Sequence, residues 1–336
     1  MSLDPLELTR KLIEIPSPSG AEGEVGHFLL PVLEELGLAV TVQPVAADRF
    51  NLAARSGAEP EVVLCTHMDV VPPHVPLRED ATHLYGRGAC DTRGALAAML
   101  GAAQRLLAEQ AGGFGVLLVV GEETDSIGAR TANERLEWPS RSIIVGEPTG
   151  SRFARGQKGA LKAAVTTRGR AAHSAYPERG ESALVKMLPV LSDLMAAPWG
   201  RDASLGEGTL NVGTLQSGVR PNVIPAEARA EIMVRVVDSV AATEERLRRA
   251  VGERATLEIE HVNEPQALLV PEGEEGIVVA FNTDIPFLGR LGRPFLFGPG
   301  SILDAHGEGE KIAKADILAA VDTYHGLVRR LLAGGG

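Results

Sequence analysis

Aromatic side chains are scarce. Phe, Trp and Tyr make up 4% of the 336 residues, so the core has to be built from Leu, Val, Ile and Ala. Cysteine is nearly absent, and Cys65 and Cys90 alone exclude a disulfide framework. No apolar run approaches the roughly 18 residues of a membrane span. Lys and Arg never cluster and the net charge is −11, which excludes a nucleic-acid footprint and a surface for anionic membranes. Met1-Ser2-Leu3-Asp4-Pro5 lacks a basic segment followed by an apolar core. No secretory leader is therefore expected there, and a cytoplasmic protein is the expectation. No internal repeat is visible.

What is present is organised around Val62-Val63-Leu64-Cys65-Thr66-His67-Met68-Asp69. The Val/Leu run reads as a strand of a sheet covered on both faces. Side chains alternate along a strand, so His67 and Asp69 point to one side. Asp69 could accept a hydrogen bond from one ring nitrogen of His67 and free the other for a metal. Taken alone, a surface His and a turn Asp fit the pair as well.

The length allows two domains. Asp4-Pro5 starts a helix that stops at Pro16. Val25, Leu29, Leu33 and Leu36 stripe a second helix. Strands are expected near 39–46, 50–56, 61–66, 114–120 and 142–145, with a helix carrying Leu96, Leu100, Ala103 and Leu107 between them. Alternating strands and helices predict an α/β sheet, largely parallel. From about residue 156 the order becomes β-α-β-β-α-β, the split βαβ or ferredoxin-like pattern. The expected division is 1–155 for the first part of one domain, 156–264 for an inserted α+β domain and 265–336 for the return. The return begins with a helix near 273–281 and continues with a strand at 294–297 and a last helix.

Polar residues follow the apolar strands: His67 and Asp69, Glu122 and Glu123, Glu147, and His306. Asp91 follows a Gly-rich turn. In open α/β sheets, groups beyond the carboxyl ends of the strands converge. Two imidazoles and several carboxylates suit Zn²⁺ or a similar divalent ion. If Asp91 bridges, His67, Asp91, Glu123, Glu147 and His306 give each of two ions three protein ligands, an arrangement for hydrolysis. Glu122 is left over beside a ligand and is the candidate general base. A solvated acidic loop is the plainer reading of Glu122-Glu123 in isolation. Cys65 and Cys90 read as small buried side chains.

Thr66-His67-Met68-Asp69-Val70-Val71-Pro72 resembles the first metal motif of the M20 metallopeptidase/deacylase family. Gly86-Arg87-Gly88-Ala89-Cys90-Asp91-Thr92-Arg93-Gly94 resembles the second, Glu122-Glu123 and Gly146-Glu147-Pro148-Thr149 the third and fourth, and Ala305-His306 the last. The motifs stand in family order across the whole chain. The resemblance implies a zinc-dependent amidohydrolase with a zinc-exopeptidase-like catalytic domain, helices on both faces of its sheet, and an inserted lid/dimerisation domain. It implies two Zn²⁺ per subunit, with Co²⁺ able to substitute, and a homodimer formed through the lid. His67, Asp91 and Glu147 would hold one ion; Asp91, Glu123 and His306 the other. Asp69 would orient His67, and Glu122 would be the general base. His173, in Gly169-Arg170-Ala171-Ala172-His173-Ser174, would reach the partner subunit's active site and bind the developing oxyanion. Asn222 is a weaker substrate-binding candidate. Arg235 could bind a substrate carboxylate or be structural.

Thr283-Asp284-Ile285-Pro286-Phe287 and Gly298-Pro299-Gly300-Ser301-Ile302 look most like the acetylornithine deacetylases. The expected substrate is therefore a small N-acyl amino acid, N2-acetyl-L-ornithine, as in arginine biosynthesis. Deacylation of acetylcitrulline, acetyl-lysine or succinyl-diaminopimelate, dipeptide cleavage, and a catalytically inactive ligand-binding relative are the alternatives. Two positions depart from the family. Arg93 stands where Lys is usual. The acidic pair after the last His reads Gly309-Glu310, one carboxylate short.

Overall fold

The computed structural model describes residues 3–57 and 59–334; Met1 and Ser2, on which the leader expectation partly turns, lie outside them. The chain clusters into two compact units. One comprises residues 1–155, 268–277 and 283–336, the other 156–267 and 278–282. Residues 265–267 and 278–282, which the sequence assigns to the returning segment, thus cluster with the second unit.

The sheet of the first unit runs in the order Ala39–Ala46, Arg49–Arg55, Phe114–Val119, Val62–His67, Ser142–Val145 and Arg293–Leu296. The first three strands pair antiparallel, and the last four of the six run parallel. Every residue of Val62–His67 and Phe114–Val119 is buried. Side chains alternate faces, so both faces are covered. Helix Gly94–Ala108 packs against Pro5–Glu14 and Lys314–Leu332. Its Leu96 and Leu100 are fully buried, and truncating either to Ala costs about 2–5 kcal/mol. That packing matters here because the turn carrying Asp91 leads directly into this helix. The helix Pro5–Glu14 starts as expected, with Asp4 accepting from the N–H of Leu6 at 2.9 Å.

Two elements differ from expectation. No helix forms over 273–281; Ile277–Val279 is a short strand. Gly273 and Gly276 disfavour a helix, and the β-branched run Ile277-Val278-Val279 favours a strand. A helix at Ile127–Arg135 has too weak an apolar periodicity to be read from sequence.

The second unit has strands Gly159–Arg168, Thr209–Ser217, Glu227–Val236 and Thr256–Asn263 and helices Ala183–Ala196 and Val240–Val251. The sheet order is 209–217, 227–236, 159–168, 256–263, all antiparallel, which is the ferredoxin-like arrangement. Alternate residues of Glu227–Val236, such as Ala228, Ala230, Ile232 and Val234, are buried. They form a core with Met187, Val190 and Leu194 of the first helix and Leu247 of the second.

Candidate metal centre

The parallel strands end at one edge of the sheet, where the chemistry collects. His67 ends its strand. Gly121-Glu122-Glu123 follows Phe114–Val119, Gly146-Glu147 follows Ser142–Val145, and the loop to His306 follows Arg293–Leu296. Hydroxyls knit these turns together. Thr66 Oγ1 donates to the carbonyl of Gly146 at 2.9 Å and lies 2.8 Å from Thr92 Oγ1.

Asp91 lies between the two imidazoles. Its Oδ1 is 3.1 Å from His67 Nε2, and its Oδ2 is 3.2 Å from His306 Nε2. His67 Nε2 also stands 3.9 Å from Glu147 Oε2, and His306 Nε2 stands 3.0 Å from Glu123 Oε1. Asp91 therefore links the two imidazoles, with Glu147 beside His67 and Glu123 beside His306, and His67, Asp91 and Glu123 offer ligand atoms within 4.8 Å of one another. Tetrahedral bonds of about 2.0–2.2 Å to a zinc ion place ligand atoms about 3.3 Å apart, and the observed separations bracket that value. His67, Asp91 and Glu147 are buried, whereas the His306 side chain is 47% exposed.

The protonation chemistry also calls for cations. His67 Nδ1 lies 2.9 Å from the backbone carbonyl of Asp69, which can only accept, so Nδ1 carries a proton. In the neutral ring the Nε2 lone pair then faces a carboxylate oxygen, which is unfavourable unless a proton or a metal ion lies between them. Burial opposes a charge on His67, but Asp69, Asp91, Glu147 and Glu122 push its pKa well above the usual range. Hydrogen bonds to Asp91 and Glu123 push His306 up to about 10. Burial, reinforced by neighbouring carboxylates, raises Glu122 and Glu147 well above the ordinary carboxyl range and raises Glu123 as well. Divalent ions would remove both strains.

The Asp69 carboxylate stands 3.6 Å from His67 Nδ1, beyond a hydrogen bond. The carboxylate instead collects the turn that carries the candidate base. Oδ1 accepts the N–H groups of Gly121 at 2.9 Å and Glu122 at 3.1 Å, and Oδ2 accepts the Glu123 N–H at 3.1 Å and the Ser19 hydroxyl at 2.7 Å. Asp69 thus meets His67 Nδ1 most closely through its backbone carbonyl at 2.9 Å, with its carboxylate 3.6 Å from the same nitrogen.

Within the second unit, the N–H of Ser174 donates to the carbonyl of Asn222 at 3.0 Å and His173 pairs with Val223. The structure thus brings His173 and Asn222 together, both exposed. Arg235 is remote from them. It pairs with Ala160, at the far end of the strand whose Glu227 pairs with Arg168. The stretch from Glu227 to Arg235 spans about 27 Å at the usual strand rise. Half-buried Arg235 has no carboxylate partner among the described residues.

Further side chains support the site from behind. Ser19 ties Asp69 to the 16–20 loop. Arg93, wholly buried, donates to Ser17 Oγ, which donates to the carbonyl of Met68 at 3.0 Å. Burial pushes the Arg93 guanidinium down to about 10, so it remains a cation near neutral pH. Cys65 and Cys90 are buried, and burial raises both thiols. Both behave as small buried side chains.

Imidazoles and carboxylates gathered at the edge of a parallel sheet are a donor set for divalent ions, and the relatives that the chain matches make it a hydrolase of amide bonds. The model of the peptidase dimerisation domain matches residues 155–256. A peptidase M20 domain-containing protein of Schizosaccharomyces pombe is 34% identical over 335 residues, covering 96% of this chain and 84% of the relative. A probable carboxypeptidase of Aspergillus clavatus is 32% identical over 370 residues, covering 97% and 88%. The chain belongs to the M20 peptidase family. An M20 family metallo-carboxypeptidase from Sulfolobus solfataricus shares the fold at a TM-score of 0.79 with 17% identity, covering 97% of this chain and 98% of that one. Among the described residues no helix is long and apolar enough to cross a membrane.

Proposed function

We propose that the protein hydrolyses the amide bond on the nitrogen of an amino acid whose carboxylate is free. A C-terminal peptide bond and an N-acyl amino acid both belong to this class. N2-acetyl-L-ornithine is the member suggested by residues 283–287 and 298–302, while the relatives named carboxypeptidase favour peptides. The observation that carries the reading is Asp91 set between His67 and His306, with Glu122 on the same turn as the ligand Glu123. Two Zn²⁺ ions, with Co²⁺ as a substitute, would polarise the substrate carbonyl and acidify an attacking water.

The chain's own groups then have distinct tasks. Glu122, whose burial raises its proton affinity, takes the proton of the attacking water and returns it to the leaving amine. His173 Nδ1 accepts the N–H of Ala175 at 3.2 Å, so the neutral ring carries its proton on Nε2. That proton is a donor for an oxyanion. Arg235, with no carboxylate partner among the described residues, offers a fork for the substrate carboxylate. The strand length between His173 and Arg235 keeps one subunit from presenting both to one small substrate. This supports a homodimer in which His173 serves the partner's site. A cytoplasmic location suits the reading.

A panel of N-acetyl amino acids including N2-acetyl-L-ornithine, dipeptides and longer peptides, each with a free or amidated carboxyl end, tests it. Cleavage of free-carboxyl members and loss of cleavage on amidation are expected. Equal cleavage of amidated substrates would overturn the proposal. Zinc-loaded protein inert on every member would favour the inactive ligand-binding alternative.

A further inference from the structure

Glu310 is the surviving member of the acidic pair after the last His, and it is fully buried, so it does not face a substrate. Its Oε2 accepts from Arg87 Nη1 at 2.7 Å, and its Oε1 accepts from the backbone N–H of Asp91 at 3.3 Å. The guanidinium of Arg87 goes further. Nη2 donates to the carbonyl of His306 at 3.3 Å, Nη1 to that of Gly307 at 3.4 Å, and Nε to that of Pro73 at 3.1 Å. The backbone carbonyl of Glu310 accepts from the N–H of Gly86 at 3.0 Å. One buried ion pair thus holds the backbone at the bridging ligand Asp91 and at the exposed ligand His306.

His306 needs this grip more than His67 does. His67 ends a fully buried strand and is fixed by the carbonyl of Asp69. His306 sits in a loop with φ +63, a left-handed conformation that a non-glycine residue adopts only when its surroundings hold it there. Residues behind metal ligands set ligand geometry, and removing them weakens metal binding about 10- to 100-fold.

We propose that Arg87 and Glu310 are positioning residues that act chiefly on one ion of the pair, the ion held by Asp91, Glu123 and His306, and that the ion held through His67 and Glu147 depends on them only through the shared Asp91. The inference rests on the two-ion reading of the site.

Zinc titration into the metal-stripped full-length protein, followed by calorimetry, tests it. Wild type is expected to take up two ions. Glu310→Ala and Arg87→Met should weaken one zinc site about 10- to 100-fold and the other by clearly less. Glu310→Gln, which keeps an oxygen toward Arg87 and the same volume, should weaken the same site less. Circular dichroism identifies any variant that fails to fold, and Glu310→Gln then carries the test. Unchanged affinities at both sites in a folded variant would overturn the proposal, as would an equal fall at both sites. One ion or none in wild type would instead overturn the two-ion reading.

Discussion

The backbone N–H of Glu122 donates to Asp69 Oδ1 at 3.1 Å. The neighbouring N–H groups of Gly121 and Glu123 converge on the same carboxylate. Asp69 therefore sets the turn that aims both the candidate base and a candidate metal ligand. Burial opposes the charge on Asp69, but His67, Ser19 and the N–H of Glu123 outweigh it and hold the carboxyl below its usual range. The carboxylate form, which can accept all four donors, is the form kept.

Asp69→Asn tests this arrangement. One acceptor oxygen becomes an amide donor facing N–H groups, so the 121–123 turn has to shift. The expected outcome is a fall in kcat of about 10- to 100-fold, with zinc content retained, because the Nδ1 proton of His67 goes to a backbone carbonyl. Selective loss of the zinc bound through His67, with kcat per bound ion unchanged, would return the carboxylate to the role of orienting that imidazole.

Glu122→Gln removes the candidate proton acceptor while keeping shape and volume. General-base catalysis contributes about 100- to 10,000-fold, and kcat should fall by that order with both ions bound. Metal analysis alongside steady-state kinetics checks it. Wild-type turnover in the fully loaded variant would remove Glu122 from the mechanism.

The residues of the candidate metal centre were legible in the sequence because parallel strands deliver their C-terminal residues to one edge, whatever their separation along the chain. His67, Asp91, Glu123, Glu147 and His306 each come after an apolar strand or a Gly-rich turn, and the resemblance of five ordered motifs to one family singled them out from other polar residues. The supports were not legible. Asp69 stands two residues from His67, and sequence cannot say whether the carboxylate or the carbonyl meets the ring. Arg87 and Glu310 are 223 positions apart, and nothing in their local pattern announces a partner. The fold followed the same division. Strongly periodic segments formed as expected, while Ile127–Arg135 and Ile277–Val279 depended on tertiary packing and on a few residues of propensity.

Helix Ala183–Ala196 carries Val185, Leu188 and Met195 on one exposed stripe, and it packs beside the edge strand Thr209–Ser217, where Leu215 is also exposed. An apolar helix face next to an open strand edge suits a second copy of the chain. Leu188→Asp places a charge in that stripe and touches no catalytic residue. Analytical ultracentrifugation should show a dimer for wild type and a shift to monomer for the variant. Persistence of the dimer would place the interface elsewhere.

Asp284 sets a pH dependence for the metal-stripped protein. It is buried, and its Oδ1 has no hydrogen-bond partner among the described residues. Burial raises its pKa from 3.8 to about 7, although the Ser126 hydroxyl and His67 work in the other direction. A folded-state pKa above the unfolded value means that the native protein binds the proton more tightly. The stabilisation is complete below about 3.8 and is lost as pH rises through about 7. The difference corresponds to at most on the order of 4 kcal/mol. Asp284→Asn keeps the volume and cannot ionise. Urea unfolding of both metal-stripped proteins should show near-equal midpoints at about pH 4 and a growing advantage for the variant toward pH 8. Zinc should narrow that gap, because nearby cations favour the ionised carboxylate. Parallel pH curves for the two proteins would show that Asp284 titrates like an exposed acid.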